Sequence, residues 1–276
     1  MNADELTYLK TMARTLRLDA MRTIFLGNSW HYGTCFSAAE IVSVLYFKEL
    51  RLRPEEPYWA DRDRFIMSKG HGAGIWYSAL AEKGYFSKDV LDTYRKLGSP
   101  LQGHPNMRKL PGLDMTSGSL GNGLGIAAGM ACAAKTDNKD YRVYALTGDG
   151  ELEEGSVWEA AMFARQYELD NLTVIIDYNK LQVSGGSNAV MKLDPLDAKW
   201  RDFGYHVIVI DGHNIEEIAA AFDTARAEKG RPTCIIANTV KGKGVSFMEN
   251  KREWHYTKMD QALYDQAYKE LTGGQQ

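Results

Sequence analysis

Residues 141–180 read YRVYALTGDGELEEGSVWEAAMFARQYELDNLTVIIDYNK, and this stretch decides the fold. Two short runs rich in β-branched and aromatic residues, 141–147 and 171–177, bracket a helical segment at 152–169. Both runs are apolar on successive residues rather than alternating, which marks strands covered on both faces. Each ends in oxygen-bearing side chains: Gly148-Asp149-Gly150 after the first, and Asp177-Tyr178-Asn179-Lys180 after the second. Asn179 lies thirty positions beyond Asp149. Adjacent parallel strands thus present a carboxylate and an amide oxygen at one sheet edge, and a backbone carbonyl just beyond, such as that of Leu181, adds a third donor. Hard oxygens suit Mg²⁺ or Ca²⁺. So few protein ligands leave room for phosphate oxygens and water. The glycines beside Asp149 let backbone approach a diphosphate, and a helix opening near Leu152 would aim its positive end at that anion. A Gly-Asp-Gly alone is more often a plain turn; the strand-end Asn thirty residues later reverses that reading.

Outward from this stretch the pattern repeats. RFIMS (64–68), YHVIVID (205–211) and CIIANT (234–239) read as further strands, and 214–229 as a helix. Residues 4–27 carry apolar positions at helical spacing, and Ser37 with Glu40 three residues later makes a capping box for a helix running on through 40–50. The expected fold is α/β, a mostly parallel sheet with helices on both faces, in which ligands sit beyond the carboxyl ends of the strands. Only the tail, LTGGQQ (271–276), reads as loose.

Composition narrows the rest. The 276 residues are 44% hydrophobic with a formal net charge of −3 and a pI near 6.1, enough for one sizeable core and no basis for a nucleic-acid or anionic-membrane partner. Cys35, Cys132 and Cys234 form no CxxC pair, which argues against a zinc site or disulfide framework. No apolar run approaches the roughly 20 residues of a membrane helix, and the acidic N-terminus MNADELTYLK is no signal peptide. The expectation is a soluble cytoplasmic protein.

With these residues in hand, the chain resembles the N-terminal domain of a transketolase from about residue 10 to 260. Gly148-Asp149-Gly150 with the spaced Asn179 resembles the thiamine-diphosphate signature. Asn28-Ser29-Trp30-His31-Tyr32-Gly33 resembles the family's first histidine loop. Residues 63–71, DRFIMSKGH, resemble the segment DRFVLSNGH. Gln102-Gly103-His104-Pro105 resembles the third histidine loop, and 116–123, TSGSLGNG, resembles TTGPLGQG. Lys241-Gly242-Lys243-Gly244 leads to His255 at the place of the last active-site histidine.

The resemblance implies a thiamine diphosphate-binding fold of the diphosphate (PP) type over residues 1–276. Its pyrimidine-binding and C-terminal domains would lie on a separate subunit, because the chain ends at Gln276 before a second parallel-sheet pattern. It implies that Asp149, Asn179 and the Leu181 carbonyl hold Mg²⁺, with Ca²⁺ or Mn²⁺ as substitutes. His71, Gly118, Leu120, Gly150, Asn179 and His255 would line thiamine diphosphate, while His31, His104 and His255 face a sugar phosphate and steer its protons. Glu154 would lie near a subunit contact. The implied activity is transfer of a two-carbon ketol unit from a ketose phosphate to an aldose, in an α2β2 assembly with a C-terminal transketolase subunit. Histidine suits proton movement near neutral pH, and four of the six histidines stand in glycine-flanked or loop contexts. His213, capping a helix, and His206, in a strand, read as structural. The Gly/Ala-rich stretch Gly121–Ala134 fits either core packing or an interface.

Trp30 and Tyr32 depart from the small residue and proline that flank the family's first histidine, which bears on substrate access. Lys69 stands where many relatives have asparagine, and Ser119 replaces a proline. Other readings differ in what they require. An E1-like or deoxyxylulose-phosphate synthase-like subunit would share the metal motif, but the early histidine loops disfavour the E1 type. A non-catalytic cofactor-binding module would not need the histidines. A nicotinamide enzyme fits poorly: Gly121-Asn122-Gly123-Leu124-Gly125 follows a segment unsuited to a strand.

Overall fold

The computed structural model describes residues 1–273. The chain opens with α1 (Ala3–Leu26), α2 (Tyr32–Ser37) and α3 (Ala39–Val44), which passes into a wider π-type turn over Leu45–Glu49. Strand β1 (Arg64–Met67) leads to α4 (Ala73–Lys83), then through a long loop to α5 (Asn122–Thr136). Next come β2 (Val143–Gly148), α6 (Gly155–Gln166) and β3 (Leu172–Tyr178). A small hairpin, β4 (Leu181–Gln182) and β5 (Gly185–Gly186), precedes α7 (Ser187–Val190) and α8 (Leu196–Asp202). The chain finishes with β6 (His206–Asp211), α9 (Ile215–Ala227), β7 (Thr233–Asn238) and α10 (Gln261–Thr272).

Five strands pair in parallel in the order β1-β2-β3-β7-β6. Progress runs outward from β1 to β3, then jumps to the far edge at β6 and returns to β7. The reversal places a switch point at the carboxyl ends of β3 and β7, where open parallel sheets form crevices.

Alternation along the buried strands explains their continuous apolar runs. Tyr144, Leu146, Ile175 and Ile235 face one core with α1, α3, α4 and α9. Val143, Ala145, Val174, Ile176 and Ile236 face a second core with α5, α6 and α8. Every residue of β3 is buried, and each large aliphatic side chain so removed from water contributes about 1.5–3 kcal/mol. Among the described residues no helix is long and apolar enough to cross a membrane.

Local details correct several expectations. Ser37 opens no helix: it closes α2, and its hydroxyl donates to the buried Asp177 carboxylate at 2.6 Å. Glu40, the other half of the expected capping box, instead receives Arg17 at 2.5 Å and contacts His213 at 2.9 Å. Nor does a helix open at Leu152. Gly150–Glu153 form a tight 3₁₀ turn, and α6 begins at Gly155; the Asp149 and Glu151 carboxylates accept from the Gly150 and Gly148 amides. Asn214, not His213, caps α9, accepting from the amides of Glu216 and Glu217. In the tail, Leu271 and Thr272 belong to α10, with Leu271 buried; residues 274–276 lie outside the described residues.

Candidate active site

Four strand ends converge. Lys69 follows β1, Asp149 follows β2, Asn179 follows β3 and Lys241 follows β7, and all four line one cavity of about 390 Å³. His31, His71, His104, Gly118, Leu120, Gly150, Leu181 and His255 line it too. The site residues expected from sequence therefore meet at the switch point.

The oxygen donors come from backbone register. Gly148 pairs with Asp177 across β2 and β3, so Asp149 and Asn179 leave the sheet side by side. Asp149 is buried, accepting from Gly150 N at 2.8 Å and Lys180 N at 2.5 Å. Burial, then the nearby negative Asp177, pushes its carboxyl up to about 6. Asn179 Oδ1 accepts from Leu181 N at 3.1 Å, and the Leu181 carbonyl accepts from Lys241 Nζ at 2.8 Å. One carboxylate, one amide oxygen and one carbonyl, each with lone pairs to spare, make a hard donor set that fits a divalent cation with phosphate and water completing its shell. A buried carboxylate destabilised by its surroundings is the kind of charge such a cation complements.

The surrounding backbone fits a bulky anion. Gly118 takes φ +146°, a conformation side chains rarely adopt, and a Cβ there would meet the His104 ring at 3.3 Å. A Cβ at Gly150 would meet Gln182 Oε1 at 2.4 Å. Glu151, buried in the turn, ties the walls together: its carboxylate accepts from Ser68 Oγ, Gly121 N and Gly148 N. Glu154 is exposed at the turn's end.

Three histidine rings form a triangle, with centroids 5.1 Å apart for His31–His71, 5.4 Å for His31–His255 and 5.1 Å for His71–His255. His104 lines the same cavity from the loop opposite Gly118. Hydrogen bonds set the tautomers. His31 Nδ1 lies 2.8 Å from the His255 carbonyl, which can only accept, so Nδ1 carries the proton and Nε2 is a free base. His255 Nδ1 lies 3.0 Å from Lys241 Nζ. The ammonium can only donate, so His255 Nε2 carries the proton and is a donor. Burial keeps these rings neutral: His31 falls to about 4, against the pull of its backbone hydrogen bond, and His255 falls to about 3, with Lys241 adding to the effect. His71 lies well below its ordinary value for the same reason, reinforced by His255 and His31. His104 is lowered by burial and by Arg95. Lys241 is itself pushed down by burial to about 8, opposed by Asp149 and Asp177, and so stays mainly charged at neutral pH.

His213 bridges Glu40 and Val240 N, and His206 lies 3.2 Å from Glu228 at the sheet edge. Neither lines the cavity. Trp30, beside His31, stacks on Tyr256 at 4.3 Å with the Arg95 guanidinium 4.6 Å from its ring. Tyr32 is buried against Trp254.

Sequence reasoning missed Lys69, Asp177 and Lys241 as parts of the site. Each had a signal: a lysine beside His71, an aspartate ending an apolar strand, and a lysine between strand β7 and a glycine.

Residues 8–273 match the family model described as "Transketolase, thiamine diphosphate binding domain". The chain is 43% identical over 267 residues to the 6-deoxy-6-sulfo-D-fructose transketolase subunit SqwG of Clostridium sp. (strain MSTE9), covering 97% of this chain and 96% of that one. It is 39% identical to an apulose-4-phosphate transketolase subunit of Phocaeicola vulgatus, covering 96% and 94%. Against the transketolase of Homo sapiens it is 42% identical, covering 97% of this chain but only 42% of that one. The solved transketolase of Campylobacter jejuni superposes with a TM-score of 0.89 at 31% identity, over 99% of this chain and 43% of the other. The chain thus spans less than half the length of these longer transketolases.

Proposed function

The chain belongs to the transketolase family, and on that premise we propose that it is the diphosphate-binding subunit of a two-subunit transketolase. The observation that carries the reading is the convergence of three histidine rings, two of them of opposed hydrogen-bonding sense, with a hard-oxygen donor set in one cavity. Relatives of matching length that are themselves named transketolase subunits support the division of labour.

In this reading Asp149, Asn179 and the Leu181 carbonyl hold Mg²⁺, for which Ca²⁺ or Mn²⁺ can substitute. His71, Gly118, Leu120, Gly150, Asn179 and His255 line thiamine diphosphate. When bound, that cofactor supplies the electron sink for a carbanion-like two-carbon fragment. The chain's own residues move the protons. His31 Nε2 accepts a proton from a substrate hydroxyl as a carbon–carbon bond is cut, and returns it on the reverse addition. His255 Nε2–H donates to a substrate oxygen, and His104 contributes a further hydrogen bond from its place beside Gly118. Burial of the histidines keeps them uncharged, so His31 is a base at neutral pH without prior deprotonation.

The substrates are a ketose phosphate donor and an aldose acceptor, and the setting is the cytoplasm. The partner is a C-terminal subunit carrying the pyrimidine-binding and C-terminal domains, in an α2β2 assembly, with residues 1–276 as a single PP domain. Ile126 on α5 and Met162, Phe163 and Tyr167 on or just after α6 leave apolar side chains exposed, a surface that suits a protein partner.

The test starts with the native mass of the protein isolated from its source. A second chain of different mass is expected to accompany it, and the pair to transfer ketol units between sugar phosphates. His31→Ala should lower that transfer by about 10²–10⁴-fold. A chain that is isolated alone, or a His31→Ala pair as active as the parent, overturns the proposal.

A further inference from the structure

We infer that Asp177 is a positioning residue: its carboxylate turns the Asn179 side-chain amide so that the oxygen faces the cation site, and Lys69 and Ser37 hold that carboxylate in place. The inference rests on reading Asn179 as a metal ligand.

Asp177 is fully buried near the end of β3, among residues that are otherwise mostly apolar. Its Oδ2 receives Lys69 Nζ at 2.5 Å, Ser37 Oγ at 2.6 Å and Asn179 Nδ2 at 3.3 Å, and its Oδ1 receives Thr239 Oγ1. The donors come from α2, the loop after β1, the end of β3 and the loop after β7. Lys69 is equally buried and is itself fixed by the Thr34 carbonyl at 2.8 Å. Stability alone gives little reason for such a pair, because well-packed apolar residues at both positions often serve a core as well or better.

The neighbours of Asn179 supply a reason. An ionised carboxylate only accepts, so the NH₂ end of the amide must face Asp177. On the other side the Leu181 N–H only donates, and it meets Asn179 Oδ1 at 3.1 Å. Both demand the same orientation, and only this one leaves an oxygen lone pair for a cation. A flipped amide would aim N–H groups at a positive ion. Lys69 pairs with the Asp177 charge and holds the carboxylate where it meets the amide.

The test is a double-mutant cycle on Mn²⁺ affinity, read by electron paramagnetic resonance. It uses the full chain purified in complex with its partner and saturated with thiamine diphosphate. Asp177→Asn is introduced both into the parent chain and into the Asn179→Ala variant. Lys69→Met/Asp177→Asn repeats the comparison without a stranded buried lysine, in case Asp177→Asn alone fails to fold. With Asn179 present, either change should weaken Mn²⁺ binding about tenfold, as expected for the partner of a metal ligand. In the Asn179→Ala background the same change should have little further effect, because the residue it positions is gone. Equal losses in both backgrounds, or none in either, overturn the inference. A parent complex that takes up no Mn²⁺ overturns the metal reading, and the inference with it.

Discussion

Replacing Gly123 and Gly129 by alanine, one at a time, tests how the site is anchored. Both lie in α5, and both substitutions gain intrinsic helix propensity of about 1 kcal/mol. Their surroundings differ. A Cβ at Gly129 meets nothing within 4 Å, so Gly129→Ala should stabilise the chain by about 0.5–1 kcal/mol. A Cβ at Gly123 would lie 2.1 Å from Ser68 Oγ, 2.5 Å from Ser68 Cβ and 2.8 Å from Ser68 Cα. The last is backbone at the end of β1 and cannot rotate away. Overpacking of this kind costs about 1–3 kcal/mol. The displaced Ser68 hydroxyl also abandons the buried Glu151 carboxylate, and a hydrogen bond to a charged group contributes about 1.5–3 kcal/mol. Set against the propensity gain, Gly123→Ala should destabilise by about 1.5–5 kcal/mol. It should also weaken thiamine diphosphate binding, because Ser68 leads into Lys69 and His71. Urea unfolding of the purified chain, extrapolated to water, measures both variants. A loss below about 1 kcal/mol at Gly123, or a comparable loss at Gly129, would refute the reasoning.

Other expectations follow from buried charge and exposed surface. Burial pushes the Glu40 carboxyl up, but Arg17 and His213 outweigh it and hold the group at about 2, against an ordinary 4.5. A folded-state value below the unfolded one stabilises above about pH 4.5, and the contribution, about 3 kcal/mol, is lost as pH falls toward 2. Glu40→Gln should therefore flatten the acid limb of a stability–pH curve; an unchanged limb counts against the assignment. Lys69→Met leaves Asp177 buried without its countercharge and should cost about 3–5 kcal/mol, most of it recovered in Lys69→Met/Asp177→Asn, as thermal or urea unfolding would report. Ile126→Asp and Phe163→Asp alter partly exposed side chains and should cost the chain's own stability about 1 kcal/mol. Native mass measurement should find their association with the partner weakened, and normal assembly would move the interface elsewhere.

Much of this protein was legible in its sequence because the signals are local. An apolar run of β-branched residues makes a buried strand whatever lies beside it, and parallel pairing puts the residues that follow each strand at one edge. Asp149 and Asn179 could thus be assigned to one site from strand ends, and the histidine loops were joined to them by their resemblance to a transketolase. Local pattern misled where a distant partner competed. Ser37 looked like a helix cap until Asp177, far along the chain, took its hydroxyl, and the segment at Leu152 forms a 3₁₀ turn in place of the expected helix start. Proximity across the sheet could not be read at all. Strand order brings Lys69, Asp177 and Lys241 together, and strand order depends on which helices cover which face. The tautomers of His31 and His255 depend in turn on a carbonyl and an ammonium that only folding places against the rings. Residue type fixed the chemistry on offer; three-dimensional packing decided which ring nitrogen carries the hydrogen and which is left free.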